Sequence, residues 1–428
     1  MTTIALVAFL TMSSQAATLD EALTAADHQS VDLGLVRAQT EATRTLPAQA
    51  WSLLSPKLVA NGQYTWNKQE IALDFSSMIP PELQDLIPPS DPIVVQPKRY
   101  AQGSITVQQS LFSGVAVPGL LAAYHVVDAA ENDEARLTSQ LHLGVVRTYY
   151  GVYAAREGEA LAAAAEKIAE DGLALAKRAR LAETTNDLPV FQAELALSQA
   201  HRDVAAAREG RMQVEEVFNA LTGLPRDTPV ELPTPPTVPD DLEQAVASAR
   251  TERPDVVAAQ DRILASRLQS KANLMGWAPE ITGRFTQVYT ENSGFSADNK
   301  TPWMVVLEGN WVLWDGGYRL AKAREYAVQS HMAELAHDKA EITAESEVRN
   351  AWEKYQRATK AAEATEREVE LADKTLELAK RSFEAEQVPW IQVDQAEIYV
   401  TKARLDRIVE RMNRDVAAYE LLVAAGRW

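Results

Sequence analysis

The chain of 428 residues contains no cysteine. That excludes disulfides, thiolate metal sites, cysteine nucleophiles and a lipid attached through an N-terminal cysteine. Beyond residues 1–17 no stretch reaches the roughly 18 consecutive apolar residues of a transmembrane helix. A basic surplus is also missing. The net charge is −18, which repels phosphate backbones and excludes nucleic acid as a partner. Reactive groups show no convergence: there is no Gly-x-Ser-x-Gly elbow and no phosphate loop. The six histidines (His28, His125, His142, His201, His331, His337) are scattered, and six residues between His331 and His337 put them on different helix faces. No enzyme activity, cofactor or metal is therefore expected.

What the sequence has instead is helix of unusual length. From Pro118 to Leu181 an Ala-rich run carries Leu137, Leu141, Val145, Tyr149, Ala165, Ile168 and Leu175 at helical spacing, uninterrupted by Pro or Gly clusters. At 1.5 Å per residue this is a rod of about 100 Å, too long to stand without other helices beside it. A second rod runs from Tyr318 to Glu386. Its Glu345/Arg349, Glu353/Arg357, Glu363/Arg367, Glu370/Lys374 and Glu377/Arg381 stand at i, i+4 in the favourable order, as on a solvated face.

Laid on itself, the chain shows a duplication. Leu175-Ala176-Lys177-Arg178 returns as Leu378-Ala379-Lys380-Arg381, and Gly223 falls on Gly426. Earlier in each half Leu19 falls on Leu242, Asp32 on Asp255 and Pro56 on Pro279. The change of offset places an insertion in the Pro-rich segment Met78 to Pro97. The expected division is a signal peptide at 1–17, a first repeat at 18–223, a Pro-rich linker at 224–240 and a second repeat at 241–428. In the signal, Ile4 to Leu10 form the apolar region and small residues allow cleavage after Ala16 or Ala17, although Thr2 and Thr3 stand where Lys or Arg is usual. Each repeat holds a short helix, a moderate helix (31–54; 254–277), two strands, the rod, and a helix of about 35 residues.

The strands are expected at about 57–67, 100–112, 280–291 and 303–314. Gln102, Ser104, Thr106 and Gln108 form one face of the second, with Ile105, Val107 and Leu111 opposite. Tyr64, Trp66, Tyr100, Phe112, Tyr289, Trp303, Trp311 and Trp314 gather toward strand ends, as in the aromatic belts of membrane barrels. A soluble sheet with an aromatic core is the alternative, within a periplasmic coiled-coil adaptor or scaffold protein. Against it, nothing in the chain is left over to cover such a sheet. Four strands cannot close a barrel, so copies must pool theirs: two copies give eight strands, three give twelve.

Two tandem repeats in this order, with Asp32-Leu33 and Asp255-Val256 in the moderate helices and Leu-(Phe/Trp)-(Ser/Asp)-Gly steps at Leu111 to Gly114 and Leu313 to Gly316, resemble the TolC-like outer-membrane efflux proteins. The resemblance covers nearly all of the chain from Thr18 to Trp428. It implies a mainly α fold with a membrane β-barrel part: a homotrimer whose tandem-duplicated long helices form a tunnel of twelve columns and whose strands complete a twelve-stranded barrel. It further implies outer-membrane lipid around the barrel, extension into the periplasm, and a periplasmic adaptor and inner-membrane pump as partners. The function implied is the exit duct of a tripartite efflux or type I secretion system. The family's aperture region matches Gln387 to Glu397. Positions that often carry Asp rings match Gln392 and Gln395, with Asp394 beside them, and the latching tyrosine and arginine match Phe383 and Val388. Asp187 and Gln192 fall at the equivalent turn of the first repeat. The resemblance therefore implies an aperture closed by packing and weaker polar contacts.

Overall fold

A computed structural model describes residues 16–74, 92–182, 186–291, 300–385 and 387–428. The expected signal peptide lies outside them except for Ala16 and Ala17, as does most of the Met78 to Pro97 segment. The mainly helical class is borne out. Helices α1 (Leu19–Gln29), α2 (Val31–Thr43) and α3 (Leu46–Ser52) precede strands β1 (Lys57–Trp66), β2 (Ile71–Leu73), β3 (Ile93–Gln96) and β4 (Arg99–Phe112). Then come α4 (Ala116–Leu181), α5 (Leu188–Thr222), α6 (Leu242–Glu252), α7 (Pro254–Met275), β5 (Glu280–Thr290), β6 (Trp303–Asn310), α8 (Tyr318–Glu384) and α9 (Trp390–Ala424). The two rods are single helices of 66 and 67 residues.

These elements divide into two compact units, each drawing on both halves of the chain. The first comprises the chain up to Thr40, Ala129–Gln260 and Leu335–Trp428. In it α1 starts on a capping box, Thr18 with Glu21, and buries Leu19, Ala22 and Ala26 against Val145, Tyr149, Tyr150, Phe218 and Tyr419. The linker is tied to this core. The Tyr149 hydroxyl lies 2.7 Å from the Ala17 carbonyl and 2.8 Å from that of Glu231, whose N–H donates back to it at 3.1 Å. Ala17 N–H donates to the Pro229 carbonyl at 2.7 Å. A second core joins Val246, Ala249 and Val256 to Ala344, Val348 and Leu421. The duplicated glycines Gly223 and Gly426 both adopt left-handed φ, 71° and 74°, and stop α5 and α9.

The second unit comprises Glu41–Asp128 and Asp261–Glu334. Its main sheet is antiparallel throughout, in the order β1-β4-β5-β6, and β2 pairs with β3 beside it. β3 falls within the Met78 to Pro97 segment, expected as an insertion, and β2 just before it; the β-branched run Ile93-Val94-Val95 was the signal of β3.

The register puts Leu58, Ile105, Val107, Phe285, Tyr289, Trp303, Val305 and Leu307 in one set of rows. Ser104, Thr106, Thr282, Arg284, Thr286 and Glu308 occupy the other. Burial follows this alternation in an unusual sense. Phe285 and Tyr289 are exposed, whereas Thr282, Arg284 and Thr286 of the same strand are half-buried.

Three boundaries differ from the sequence expectation. The first moderate helix breaks after Thr43, because Pro47 lacks an N–H and its ring collides with the carbonyl four residues back. Strand β6 ends at Asn310, short of Trp314. There the Trp311 indole donates to the Trp277 carbonyl at 3.0 Å, and Arg319 donates to the carbonyls of Gly276 and Val312, drawing the chain out of the ladder. In β4 a bulge between Ser110 and Phe112 brings Phe112 opposite Ile281, in phase with the apolar rows.

Gly114, where β4 gives way to α4, packs directly on the loop after α7. A Cβ there would stand 2.2 Å from the Met275 carbonyl oxygen, a contact that only backbone movement relieves. Gly114→Ala is expected to lower the thermal midpoint, at a cost of about 2 kcal/mol or more. Gly210→Ala, in α5 with open space around it, is expected to be neutral or to stabilise by about 0.5 kcal/mol. Thermal unfolding of the two variants checks both.

Candidate functional site

Two surfaces gather the residues singled out in the sequence. One is the pair of turns joining α4 to α5 and α8 to α9, in the first unit. Asp187 precedes α5 as its N-cap residue, its side chain making no bond to the helix N–H groups, and is paired with Arg180 in the last turn of α4. Both are exposed, so the pair contributes little to stability.

At the other turn, Pro389 holds extended backbone and α9 starts at Trp390. The Trp390 ring meets Phe383 edge-on at 5.4 Å and covers Gly172 of α4, where a Cβ would stand 2.9 Å from the indole nitrogen. Trp390 thus anchors the turn, a role the sequence analysis missed. Its signal was an aromatic three residues after Gln387, matched to a glycine one rod away.

Around this anchor lies a cavity of about 410 Å³, and Gln192, Phe383 and Asp394 all line it. Asp187, Val388, Gln392 and Gln395 are not among its walls. Asp187, Gln392 and Gln395 are exposed, and Val388 is half-buried.

Above it a second cavity of about 680 Å³ runs between α4, α5 and α9. Ala162 and Ala165 of α4 and Ala200 and Ala207 of α5 line it, and Asp394 and Glu397 stand on its α9 side. Glu397 is 8% exposed. Its Oε1 accepts from Lys380 at 2.8 Å, while Oε2 has no partner among the described residues. Burial, and then repulsion from the Glu397 carboxylate, push the Asp394 carboxyl above its usual range.

The other surface is the apolar face of the sheet in the second unit. Trp66 stands opposite Arg99 and meets Tyr64 edge-on at 4.6 Å. Trp303, 67% exposed, lies 6.4 Å from Phe285. Tyr289 is exposed in the same rows. Tyr100 lies in phase with the polar row and is half-buried. Phe112 joins the apolar face through the bulge, and Trp311 and Trp314, both exposed, lie beyond the end of β6. In the polar row Thr106 and Thr286 hydroxyls are 3.2 Å apart and Arg284 pairs with Glu308 at 3.3 Å.

The family model for the outer membrane efflux protein matches residues 245–427. That stretch is similar to an outer membrane efflux protein domain. It holds most of α6, α7, β5, β6, α8 and α9, and with them Phe383, Val388, Gln392, Asp394 and Gln395.

Similar solved structures extend the likeness beyond the efflux protein domain. The chain is 16% identical to CusC, described in connection with transmembrane channel formation, with a TM-score of 0.75 over 95% of this chain and 92% of that one. For the outer membrane protein VceC of Vibrio cholerae the values are 16%, 0.72, 95% and 96%. For the open MtrE outer membrane channel of Neisseria gonorrhoeae they are 18%, 0.73, 95% and 88%. At these identities the likeness establishes a common fold. No curated protein is matched by the sequence at a comparable level.

Because the Asp394 carboxyl holds its proton more tightly when folded, its ionisation opposes folding. Stability is expected to fall as pH rises from the ordinary carboxylate range through the raised folded value. Asp394→Asn, which cannot ionise, is expected to match the parent protein at acid pH and to exceed it at neutral pH. Urea midpoints for both proteins across that range check the sign.

Proposed function

We propose that the protein is the outer-membrane exit duct of a tripartite efflux or type I secretion system, assembled as a trimer. The observation that carries this reading is the inverted burial of the sheet, with Phe285, Tyr289, Trp303, Val305 and Leu307 exposed on one face while Ser104, Thr106, Thr282 and Thr286 on the other are half-buried. A soluble sheet buries the first and wets the second; a membrane barrel does the reverse. Strands of 8 to 14 residues are of the length that tilted strands need to cross an outer membrane.

β1 and β6 each pair on one side only among the described residues, and every backbone group left unpaired in lipid costs several kcal/mol. Joining β6 of one copy to β1 of the next removes both edges. Three copies then give twelve strands, in keeping with the fold shared with the outer-membrane channels. The long helices supply the periplasmic tunnel, and the turns at Arg180–Asp187 and Gln387–Trp390 face an adaptor and an inner-membrane pump. Nothing in the conduit distinguishes a small-molecule cargo from a protein, since selection rests with the pump.

The same reading makes residues 1–16 a cleaved signal. Cleavage after Ala16 leaves Ala17 in place for its bonds to Pro229 and Tyr149.

The deciding experiment is the detergent-corrected mass of protein extracted from cell envelopes. A trimer that needs detergent is expected; a monomer or dimer soluble in plain buffer would overturn the channel and leave a periplasmic scaffold protein. In planar bilayers, reversal potentials in a salt gradient are expected to show cation preference, given the net charge of −18, and anion preference would contradict it. Asp394→Ala is expected to change the resting conductance; an unchanged conductance and selectivity would remove Asp394 from the aperture.

A further inference from the structure

The second unit brings together three side chains that its sheet does not use. His125 and Asp128 stand at i, i+3 on α4, and Asp261 reaches them from α7. The His125 Nδ1 is 3.0 Å from Oδ1 of Asp261 and 3.8 Å from Oδ2 of Asp128, and one ligand atom from each of the three lies within 4.8 Å of the others. We propose that His125, Asp128 and Asp261 form a binding site for a divalent transition-metal ion of the Zn²⁺ class, which ties α4 to α7.

The donor set and its spacing carry the proposal. One imidazole nitrogen and two carboxylate oxygens suit zinc and its neighbours, and not calcium or magnesium, which take oxygen alone. In tetrahedral coordination with bonds of about 2.0–2.1 Å, neighbouring ligand atoms lie roughly 3.4 Å apart. The two distances from Nδ1 bracket that value. The third side of the triangle, between the two carboxylates, is no longer than 4.8 Å, and a fourth position is left for water.

Charge points the same way. The Asp261 side chain is 14% exposed and that of His125 30%. Among the described residues His125 is the only side chain bonded to the Asp261 carboxylate, and no lysine or arginine pairs with it. The sheltered Asp261 carboxylate beside the imidazole carries a negative charge that a cation neutralises. Binding through Nδ1 moves that atom's proton to Nε2 or to solvent.

The duplicated plan supplies an internal control. Leu111 falls on Leu313, an offset of 202, which carries His125 to Ala327 and Asp128 to Ser330. Asp32 falls on Asp255, an offset of 223, which carries Asp261 back to Ala38. His125 and Asp128 come from the first repeat and Asp261 from the second, and none of the three has a metal-binding counterpart in the other repeat. A helix-packing requirement common to both halves would not produce that difference.

His337, Asp338 and Glu341 also lie close together. They belong to one helix, so no second element supplies a ligand, and there is nothing for an ion to tie together.

The test is equilibrium dialysis of the detergent-solubilised full chain against Zn²⁺ in chelator-free buffer. About one equivalent per chain is expected, lost in His125→Ala and Asp261→Asn and retained in His337→Ala. Asp128, more than half exposed, is replaceable without risk to folding, and Asp128→Asn is expected to weaken binding at least about tenfold. Co²⁺ in place of Zn²⁺ is expected to give the visible absorption of a tetrahedral nitrogen–oxygen site in the parent protein alone. Absence of binding, binding that survives unchanged in Asp128→Asn, or binding abolished by His337→Ala would overturn the assignment.

Discussion

A sheet that exposes its apolar rows while its threonines Thr106, Thr282 and Thr286 are half-buried has two needs that lie beyond the sheet itself. The exposed rows of Leu58, Phe285, Trp303, Val305 and Leu307 require a low-dielectric neighbour, because leaving such side chains in water forgoes roughly 1.5–3 kcal/mol each. The backbone groups along the outer sides of β1 and β6 require partners. Neither need is met among the described residues. The proposed shared barrel meets both, and makes the four-stranded sheet a unit of assembly.

The helical unit is built on the opposite economy. Its long helices bury alanines where they meet, at positions such as Ala154, Ala362, Ala372 and Ala403, so helices approach closely while burying little per residue. Larger side chains are concentrated where the chain must be held in register: Tyr149, Tyr150, Phe218 and Tyr419 in one cluster, Trp390 against Gly172 at the turns. The linker, rich in proline and unable to form helix, is secured by the Tyr149 hydroxyl instead of by a core of its own. Small contact residues along the rods and large ones at fixed points allow a long helical body to keep a single arrangement.

Polar groups near the turns are less fully satisfied. Glu397 has one oxygen paired with Lys380 and the other without a partner, and Asp394 is held beside it with a raised affinity for its proton. Residual electrostatic cost of this kind is tolerated where a surface does more than pack. The family resemblance directs attention to this region through Gln392 and Gln395; the structure leaves those two exposed and turns Asp394 inward.

Much of the architecture was legible from local pattern. Helical spacing defines both rods, since 3.6-residue periodicity over some 65 residues has no competing reading, and the duplication locates Gly223 and Gly426 as helix stops. Two-residue alternation assigns Thr106 and Val107 to opposite faces of β4. Tertiary structure decided what depends on distant segments. Pairing with β5 sets the bulge that moves Phe112 to the apolar face, and contacts with Trp277 and Gly276 end β6 before Trp311. The packing of α4 on α7 brings Asp261 to His125, residues 136 apart in the chain, and Trp390 meets Gly172 in the same way. Periodicity in a sequence records which face of an element a residue occupies. Which residues meet across elements is set by the packing of the whole chain.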